Sequence, residues 1–340
     1  MSLLSICMPS NRNLAASRKS IEAALAFAEA RDAQLIVADN SEDAEKAAWW
    51  QGRSDRLHML DTRGKAVFDN YLATIMAAQT PFILQLGDDD MIGIDASVPS
   101  FDLATLPDDF MGVRPRTELT VTGQGVVRSK TFSIDSPTPS GRIREYSEKA
   151  KGDNSAFYSI FRREPYLGLM RLFGNHHPIK GGFADWAMAL ALFAYGRMAY
   201  DPSIIYQYNA DQWSTPEKTA ARNLQLFQDV GMPPHTTLFQ PLLMTLDVFT
   251  FVARPGTPLS REEALDAMSV IGGEMLNGFL NQVVRQPKDY SEKIGYLAEL
   301  ARAETDAFAR FQLALIMVDD LKPGLKDAYV RFYQMANTAG

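Results

Sequence analysis

The 340-residue sequence has one cysteine, Cys7, so it forms neither an internal disulfide nor a metal site built from several cysteines. The lack of disulfides is typical of a reducing compartment, and Cys7 lies in an apolar run, which predicts a buried core residue. The sequence also lacks a Walker-type glycine-lysine loop and any recognisable Ser/His/Asp arrangement. These absences exclude a disulfide scaffold and a P-loop nucleotide hydrolase.

Blocks of basic residues and long apolar runs are absent too. There are 34 Lys and Arg against 41 Asp and Glu, a formal net charge of −7, so neither nucleic acid nor an anionic membrane is an expected partner. The most apolar stretch, 242–252, contains Asp247 and is shorter than the roughly 18 residues of a membrane span. The N-terminus has no basic region before a long apolar segment, unlike a signal peptide. We therefore expect a cytoplasmic protein without a transmembrane segment, for which peripheral membrane contact stays open.

The sequence does contain an alternation of short apolar runs and amphipathic segments over its first 86 residues. The apolar runs end in turn-forming polar residues, which is typical of buried strands, whereas Ile21, Leu25 and Ala28 recur at helical spacing. This order predicts an α/β fold with a mixed, mainly parallel sheet flanked by helices. The predicted strands are 3–8, 34–38, 57–60 and 81–86, and the predicted helices are 17–30, 42–50 and 68–78.

Beyond residue 98 the pattern changes twice. Valines separated by glycine and proline predict β-hairpins and loops over 98–152, followed by a strand at 154–161, a helix at 186–195 and strands at 198–200 and 204–208. After Trp213 the pattern is helical, and Ser260 with Glu263 predicts a capping box. We therefore predict two domains, 1–213 and an all-helical region 214–340. This region is expected to form a homodimer, bind the acceptor or cover the active site.

Three consecutive carboxylates, Asp88, Asp89 and Asp90, follow the predicted strand 81–86. Their mutual repulsion is unfavourable unless a cation relieves it, so the stretch indicates a divalent metal such as Mg²⁺ or Mn²⁺. Successive side chains of a strand point to opposite faces, so not all three reach one ion. Polar residues 9–12 and 39–41 follow two other predicted strands, and parallel strands bind ligands beyond their carboxyl ends.

Four segments occur in a recognisable order between residues 3 and about 210: LLSICMPSNRN, QLIVADNSED, DNYLATIMAAQTPFILQLGDDD and GGFADWAMALALFAYGRMAYDP. Together they resemble the family-2-type glycosyltransferases of the GT-A fold, a Rossmann-like fold. The resemblance implies a nucleotide-diphospho-sugar donor, a Mn²⁺ or Mg²⁺ cofactor, and inverting transfer of the sugar to an acceptor hydroxyl. It also implies bacterial polysaccharide or glycoconjugate synthesis, with a saccharide, a lipid-linked saccharide or a protein as acceptor.

The resemblance assigns roles to individual residues. Asp185 is implied to be the base that deprotonates the acceptor hydroxyl, and it is also typical of the first turn of the helix beginning at Trp186. The pair His176-His177 is more typical of polar surface than of a metal site. The cation is assigned to Asp88 or Asp90. Binding of the nucleotide-diphospho-sugar donor is assigned to Pro9, Ser10, Arg12, Asp39, Asn70, Asp88 and Asp89.

Two positions depart from the family pattern. Gly87 stands where many relatives have another acid, and Ala184 stands where they have the first acid of a pair. These losses keep open a catalytically inactive nucleotide-sugar-binding or scaffold protein. A sugar nucleotidyltransferase is disfavoured, because residues 9–12 replace its glycine-rich basic loop. The residues around Trp213 also lack the Gln-x-x-Arg-Trp pattern of polymerising relatives, which favours transfer of single sugars.

Overall fold

A computed structural model describes residues 2–181 and 184–338. It has nine strands in one sheet, with the order β3-β2-β1-β4-β8-β6-β9-β5 and with β7 paired to β6. Strands β1, β2, β3 and β4 pair in parallel, as do β6 and β9, and the remaining pairs are antiparallel. The strands are β1 Leu4–Ser10, β2 Gln34–Asp39, β3 Leu57–Asp61, β4 Phe82–Gln85, β5 Met91–Ile94, β6 Phe110–Val121, β7 Gly125–Lys130, β8 Ile160–Arg162 and β9 Arg197–Asn209.

The described residues also form thirteen α-helices. A π-helical turn, Ile271–Met275, lies between the ninth and tenth of them. The helices are α1 Leu14–Ala30, α2 Ala44–Trp49, α3 Val67–Ala77, α4 Pro139–Ala150, α5 Arg163–His176, α6 Ala184–Tyr195, α7 Pro216–Gln228, α8 Thr236–Ala253, α9 Arg261–Val270, α10 Leu276–Arg285, α11 Glu292–Ala303, α12 Ala307–Met317 and α13 Leu325–Thr338.

The mixed, largely parallel sheet with its helices confirms the predicted α/β class, and the strands and helices predicted within 3–86 occur at nearly the expected positions. The predicted capping box also forms, since Ser260 N donates to Glu263 Oε2 at 2.8 Å and Glu263 N donates to Ser260 Oγ at 3.2 Å. Gly182 and Phe183, which belong to the fourth recognised segment, lie outside the described residues.

The prediction for 98–152 was wrong in its last part, where α4 replaces the expected loops. Thr138 caps this helix by accepting from Gly141 N, and Pro139 occupies the first turn, where its missing N–H costs nothing. The strand predicted at 154–161 is also reduced to Ile160–Arg162, and the two strands predicted near 198–208 form one strand, β9.

The chain packs as two compact units that are each discontinuous in sequence. Unit 1 comprises the described residues of 1–135, 155–174 and 197–214, and it contains the whole sheet. Unit 2 comprises 136–154, 175–196 and the described residues from 215 onward. The helices α4 and α6 pack with the C-terminal helices, and the division into 1–213 and 214–340 stays a prediction.

In unit 1 the face of the parallel strands that packs on α1 forms the apolar core. Ile6, Leu35 and Leu84 are fully buried there. The period-2 alternation of a strand sends the intervening residues, including Cys7 and Gln85, to the opposite face of the sheet. The strands are thereby held from both sides, which fixes where their polar carboxyl ends lie.

In unit 2 the apolar helix α8 is at the centre of the packing. Among the described residues it is long and apolar enough to be a candidate membrane span, which the sequence analysis missed because it considered only the shorter run 242–252. The helix is 67% buried within the fold, and Phe249 stacks on Phe311 with 4.2 Å between ring centroids. These contacts are those of a core helix.

The expectation that His176-His177 is polar surface was wrong for His177. Its side chain is buried, with Nε2 2.8 Å from Asp247 Oδ1 on α8, while its Nδ1 accepts from Ile179 N and Lys180 N. Because Nδ1 is an acceptor, the ring hydrogen is on Nε2 and is donated to Asp247. The histidine therefore fixes the segment that leads toward α6.

Candidate functional site

The polar carboxyl ends of β1 and β4 meet in unit 1. Ser10 Oγ donates to Asp88 Oδ2 at 2.7 Å, and Arg12 donates to both oxygens of Asp88, from its backbone N at 3.2 Å and from Nε at 3.0 Å. Arg12 Nη2 also donates to Asp89 Oδ2 at 2.6 Å, so one guanidinium bridges two adjacent carboxylates. The structure thus brings together Ser10, Arg12, Asp88 and Asp89, as expected from their positions at strand ends.

A buried lysine joins the end of β2 to this cluster. Lys46 Nζ, on α2, donates to Asp39 Oδ1 at 2.9 Å, to Ser10 Oγ at 2.6 Å and to Arg12 O at 2.8 Å. These three acceptors use all three hydrogens of the ammonium group. Asp39 and Asp88 are therefore connected through Lys46 and Ser10.

Asp39 also lines a cavity of about 380 Å³ beside the ends of β2 and β3. Trp50, Leu57 and Met59 supply apolar walls, and Arg63 and other polar residues line the remainder. Lys46 Nζ and Ser41 N both donate to Oδ1 of Asp39. Oδ2 has no hydrogen-bond partner among the described residues, so one carboxylate oxygen remains available to a ligand.

Asp90 has different partners from the other two aspartates. Its Oδ2 accepts from Tyr206 Oη at 2.6 Å and its Oδ1 accepts from Asn209 N at 2.8 Å, both on β9. Burial raises the pKa of Asp90 to about 7, although the hydrogen bonds from Tyr206 and Asn209 lower it. Asp90 thus anchors the carboxyl end of β9 next to β4.

The geometry at Asp90 explains the glycine at position 87. A Cβ atom there would lie 2.8 Å from Asp90 Oδ2 and 3.1 Å from Asp89 Oδ1. Real Cβ contacts are almost never shorter than 3.0 Å, so a side chain at this position would displace the Asp90 carboxylate, which Tyr206 and Asn209 hold in place. In this chain the departure from the family pattern at Gly87 therefore accompanies the inward turn of Asp90.

Two of the predicted donor residues are enclosed by protein. Asn70, on α3, is 2% exposed, accepts from Thr62 Oγ1 and donates to Asn40 Oδ1 at 3.2 Å. Pro9 is buried in β1, where it pairs with Ala38 of β2. These contacts show that both residues hold the strand ends in place, and their predicted contact with the donor stays a prediction.

Asp185 belongs to unit 2, in the first turn of α6, as predicted. Its Oδ1 accepts from Trp186 N at 2.9 Å. Burial raises the pKa of Asp185, and this effect is partly offset by Asn154 and by the backbone N–H of Trp186. A carboxylate with a raised pKa is a better proton acceptor than a solvated aspartate.

The fit of a divalent cation to the acidic stretch depends on which oxygens are open. Among the residues that the structure describes, no three His, Cys, Asp or Glu side chains form a preformed metal cage. Mg²⁺, however, commonly uses only one or two carboxylates together with substrate phosphates. Asp89 fits this use, because its side chain is 35% exposed and its Oδ1 has no described partner. Asp88 and Asp90, the predicted ligands, already accept two or more hydrogen bonds each, and their metal role stays a prediction.

Sequence reasoning missed two residues of this cluster, Lys46 and Tyr206. A lysine in a helix is ordinarily solvated, and Tyr206 is 116 positions from Asp90. The available signal for Lys46 was its place in the predicted helix 42–50, which begins three residues after Asp39. No comparable local signal points to Tyr206.

Comparisons with known proteins add little to this geometry. No protein-family model matches the chain, and no curated protein matches it. Among solved structures, S. aureus TarS 1–349 is similar at 14% identity over 92% of this chain and 90% of that chain, with a TM-score of 0.41. The same protein in complex with UDP and with UDP-GlcNAc matches at 15% and 14% identity over the same shares, each with a TM-score of 0.42. Similarity at this level does not identify a shared activity.

Proposed function

We propose that this chain is a GT-A-type glycosyltransferase of the family-2 kind, with its nucleotide-diphospho-sugar donor bound at the carboxyl ends of β1, β2 and β4. The observation that carries this proposal is the continuous network Asp39–Lys46–Ser10–Asp88–Arg12–Asp89 beside a cavity. The network presents a hydrogen-bond acceptor, a cation and carboxylates in sequence. These groups suit the base, the phosphates and a bridging metal of a nucleoside diphosphate.

The cavity next to Asp39 suits a nucleobase. Its volume of about 380 Å³ lies within the range of small-molecule sites, and its apolar walls favour a flat ring. The ring of Trp50 and the thioether of Met59 supply contact area, and Asp39 Oδ2 is free to accept an N–H from the base edge.

The phosphates are assigned to Arg12 and to the acidic stretch. The Arg12 side chain is 40% exposed, so its guanidinium is able to leave Asp88 and Asp89 and pair with phosphate oxygens. Mn²⁺ or Mg²⁺ would be held by Asp89, with Asp88 or Asp90, together with the diphosphate. When bound, the cation would neutralise the negative charge that develops on the leaving nucleoside diphosphate.

Asp185, in the first turn of α6, is proposed as the general base for the acceptor hydroxyl, as the family resemblance implies. Direct attack by that hydroxyl on the anomeric carbon inverts its configuration. The raised pKa of Asp185 supports this role, because proton transfer is most effective when the pKa of the base approaches the working pH. The acceptor is proposed to be a saccharide, a lipid-linked saccharide or a protein.

The test is consumption of nucleotide-sugars by the purified chain. A panel of UDP-, GDP-, dTDP- and CDP-sugars is incubated with Mn²⁺, with Mg²⁺ or with EDTA, and release of the nucleoside diphosphate is measured. Release from at least one donor in the presence of a cation, lost in Asp89→Asn, is the expected result. Binding of a nucleotide without any turnover across the panel would instead indicate the inactive binding protein, and neither binding nor turnover would reject both functions.

A further inference from the structure

Lys46 is the most completely buried ionisable side chain in the strand-end cluster. It is 0% exposed, although lysine is almost never fully buried unless it is paired. Its partners are one carboxylate at the end of β2, and one hydroxyl and one backbone carbonyl at the end of β1. A helix lysine that only improved solubility would not occupy this position.

The helix that carries Lys46 is itself fixed next to the site. Asp43 caps α2 by accepting from Glu45 N at 2.9 Å and from Lys46 N at 3.2 Å through Oδ1. The other oxygen of Asp43 accepts from Leu14 N at 2.7 Å, at the start of α1. One carboxylate therefore joins the first turns of both helices, and the lysine stem extends from a fixed backbone.

The contact that matters for recognition is the one with Asp39. Lys46 Nζ and Ser41 N fill both acceptor positions of Asp39 Oδ1, so loss of Lys46 would free one of them. Oδ2 is left as the open oxygen of Asp39, a residue that lines the cavity. Guanine presents two adjacent donors on its base-pairing edge, and a carboxylate accepts both only when both of its oxygens are open. Uracil and thymine present one imide N–H, which a single oxygen satisfies.

We propose that Lys46 is a positioning residue that determines nucleotide specificity, by occupying one oxygen of Asp39 so that the site selects a uracil or thymine nucleotide over a guanine nucleotide. This inference rests on the proposed function, because it assigns the base of the donor at that same site. Lys46 does not touch the ligand and acts only through Asp39. Its loss should therefore change discrimination between bases as well as overall affinity.

The experiment is calorimetric titration of the full chain with UDP and with GDP in the presence of Mn²⁺. The wild type is expected to bind UDP at least about tenfold more tightly than GDP, since one well-placed buried hydrogen bond distinguishes ligands by this amount. In Lys46→Met the ratio of the two dissociation constants should fall below about threefold. The matched control is Lys19→Met, an exposed lysine on α1 that should leave the ratio unchanged.

If Lys46 had a purely structural role, Lys46→Met would weaken the binding of UDP and of GDP by the same factor. That result would overturn the inference. If Lys46→Met does not fold, the double variant Lys46→Met/Asp39→Asn is titrated instead. In that variant no buried carboxylate is left without its ammonium partner. The ratio of its UDP and GDP dissociation constants should equal that of Asp39→Asn alone, because Lys46 acts on base selection only through the Asp39 carboxylate. A further change in the double variant would refute the proposal.

Different results contradict the proposed function and the inference about Lys46. A wild-type chain that binds neither nucleotide contradicts the proposed function together with this inference. A wild type that prefers UDP, combined with a Lys46→Met variant that keeps this preference, contradicts only the inference. A wild type that binds both nucleotides equally also contradicts only the inference.

Discussion

Replacing Tyr206 by Phe removes one oxygen atom from the buried contact between β9 and Asp90. The lost hydrogen bond is 2.6 Å long, and Asp90 is 3% exposed, so water does not readily replace the donor. When Asp90 is ionised, a hydrogen bond to a charged group contributes about 1.5–3 kcal/mol to the free energy of unfolding. When Asp90 is protonated, a neutral hydrogen bond contributes only about 1 kcal/mol.

The pKa of Asp90 decides at which pH the hydrogen bond from Tyr206 makes its larger contribution to the free energy of unfolding. Burial raises the pKa of Asp90 from 3.8 to about 7. At pH values between these two, Asp90 is protonated in the folded chain and ionised in the unfolded chain. The free energy of unfolding of the wild type should fall by about 4 kcal/mol as pH rises through this window, at about 1.4 kcal/mol per unit. Tyr206→Phe raises the pKa of Asp90 further, because it removes a donor to the carboxylate.

The assay is urea unfolding of wild type and Tyr206→Phe at pH 5.5 and pH 8, in EDTA so that no cation binds the acidic stretch. The loss of stability should be larger at pH 8 than at pH 5.5. The control is Tyr296→Phe, whose side chain is exposed on α11 and whose loss should cost under about 0.5 kcal/mol at both pH values. An equal loss for Tyr206→Phe at both pH values would refute the assigned titration of Asp90.

Three further predictions follow from single sites. Asp185→Asn should lower the turnover number by roughly 10²- to 10⁴-fold with unchanged circular dichroism, and near-normal turnover would remove its role as base. Gly87→Ala should destabilise unit 1 by about 1–3 kcal/mol in urea unfolding, because its Cβ would crowd Asp90; an unchanged midpoint would contradict the crowding. Burial raises the pKa of Cys7 to about 12, so a thiol reagent at pH 8 should react only after unfolding; rapid labelling of the native chain would show that the core around Cys7 opens.

The strand ends of unit 1 were predictable because their signals are local. Short apolar runs that stop at Ser10 and Asp39 identify both the strands and the edge of the sheet at which the polar residues collect. The convergence of Ser10, Arg12 and Asp88 follows from the parallel pairing of β1 with β4. This part of the site requires no knowledge of the remaining chain.

Other features depend on tertiary packing and were not predictable in the same way. The burial of Lys46 depends on where α2 lies against β1 and β2, and the partner of Asp90 comes from β9, far along the chain. The helix α4 had a local signal, Thr138 followed by Pro139, which the nearby glycines and prolines obscured. The division into compact units was also hidden, because α4 and α6 lie in sequence among the strands and pack with later helices.

The three consecutive aspartates relieve their repulsion by diverging. Asp88 turns to Ser10 and Arg12, Asp89 shares Arg12 and is partly exposed, and Asp90 turns to β9. The three residues lie in the turn between β4 and β5, so the strand alternation from which their directions were predicted does not apply, and their relation to an ion stays a prediction. Protein donors thus stabilise all three carboxylates, and Asp89 is the most exposed of them.

The central claim is that the strand-end cluster binds a nucleoside diphosphate, and calorimetric titration of UDP with Mn²⁺ into wild type and Arg12→Ala tests it most directly. The account predicts saturable binding to the wild type, weakened at least about tenfold in Arg12→Ala, since the loss of one charge-assisted contact to phosphate corresponds to more than 1.4 kcal/mol. The exposed Arg18→Ala serves as the control and should bind as the wild type does. Equal binding by wild type and Arg12→Ala would contradict the account.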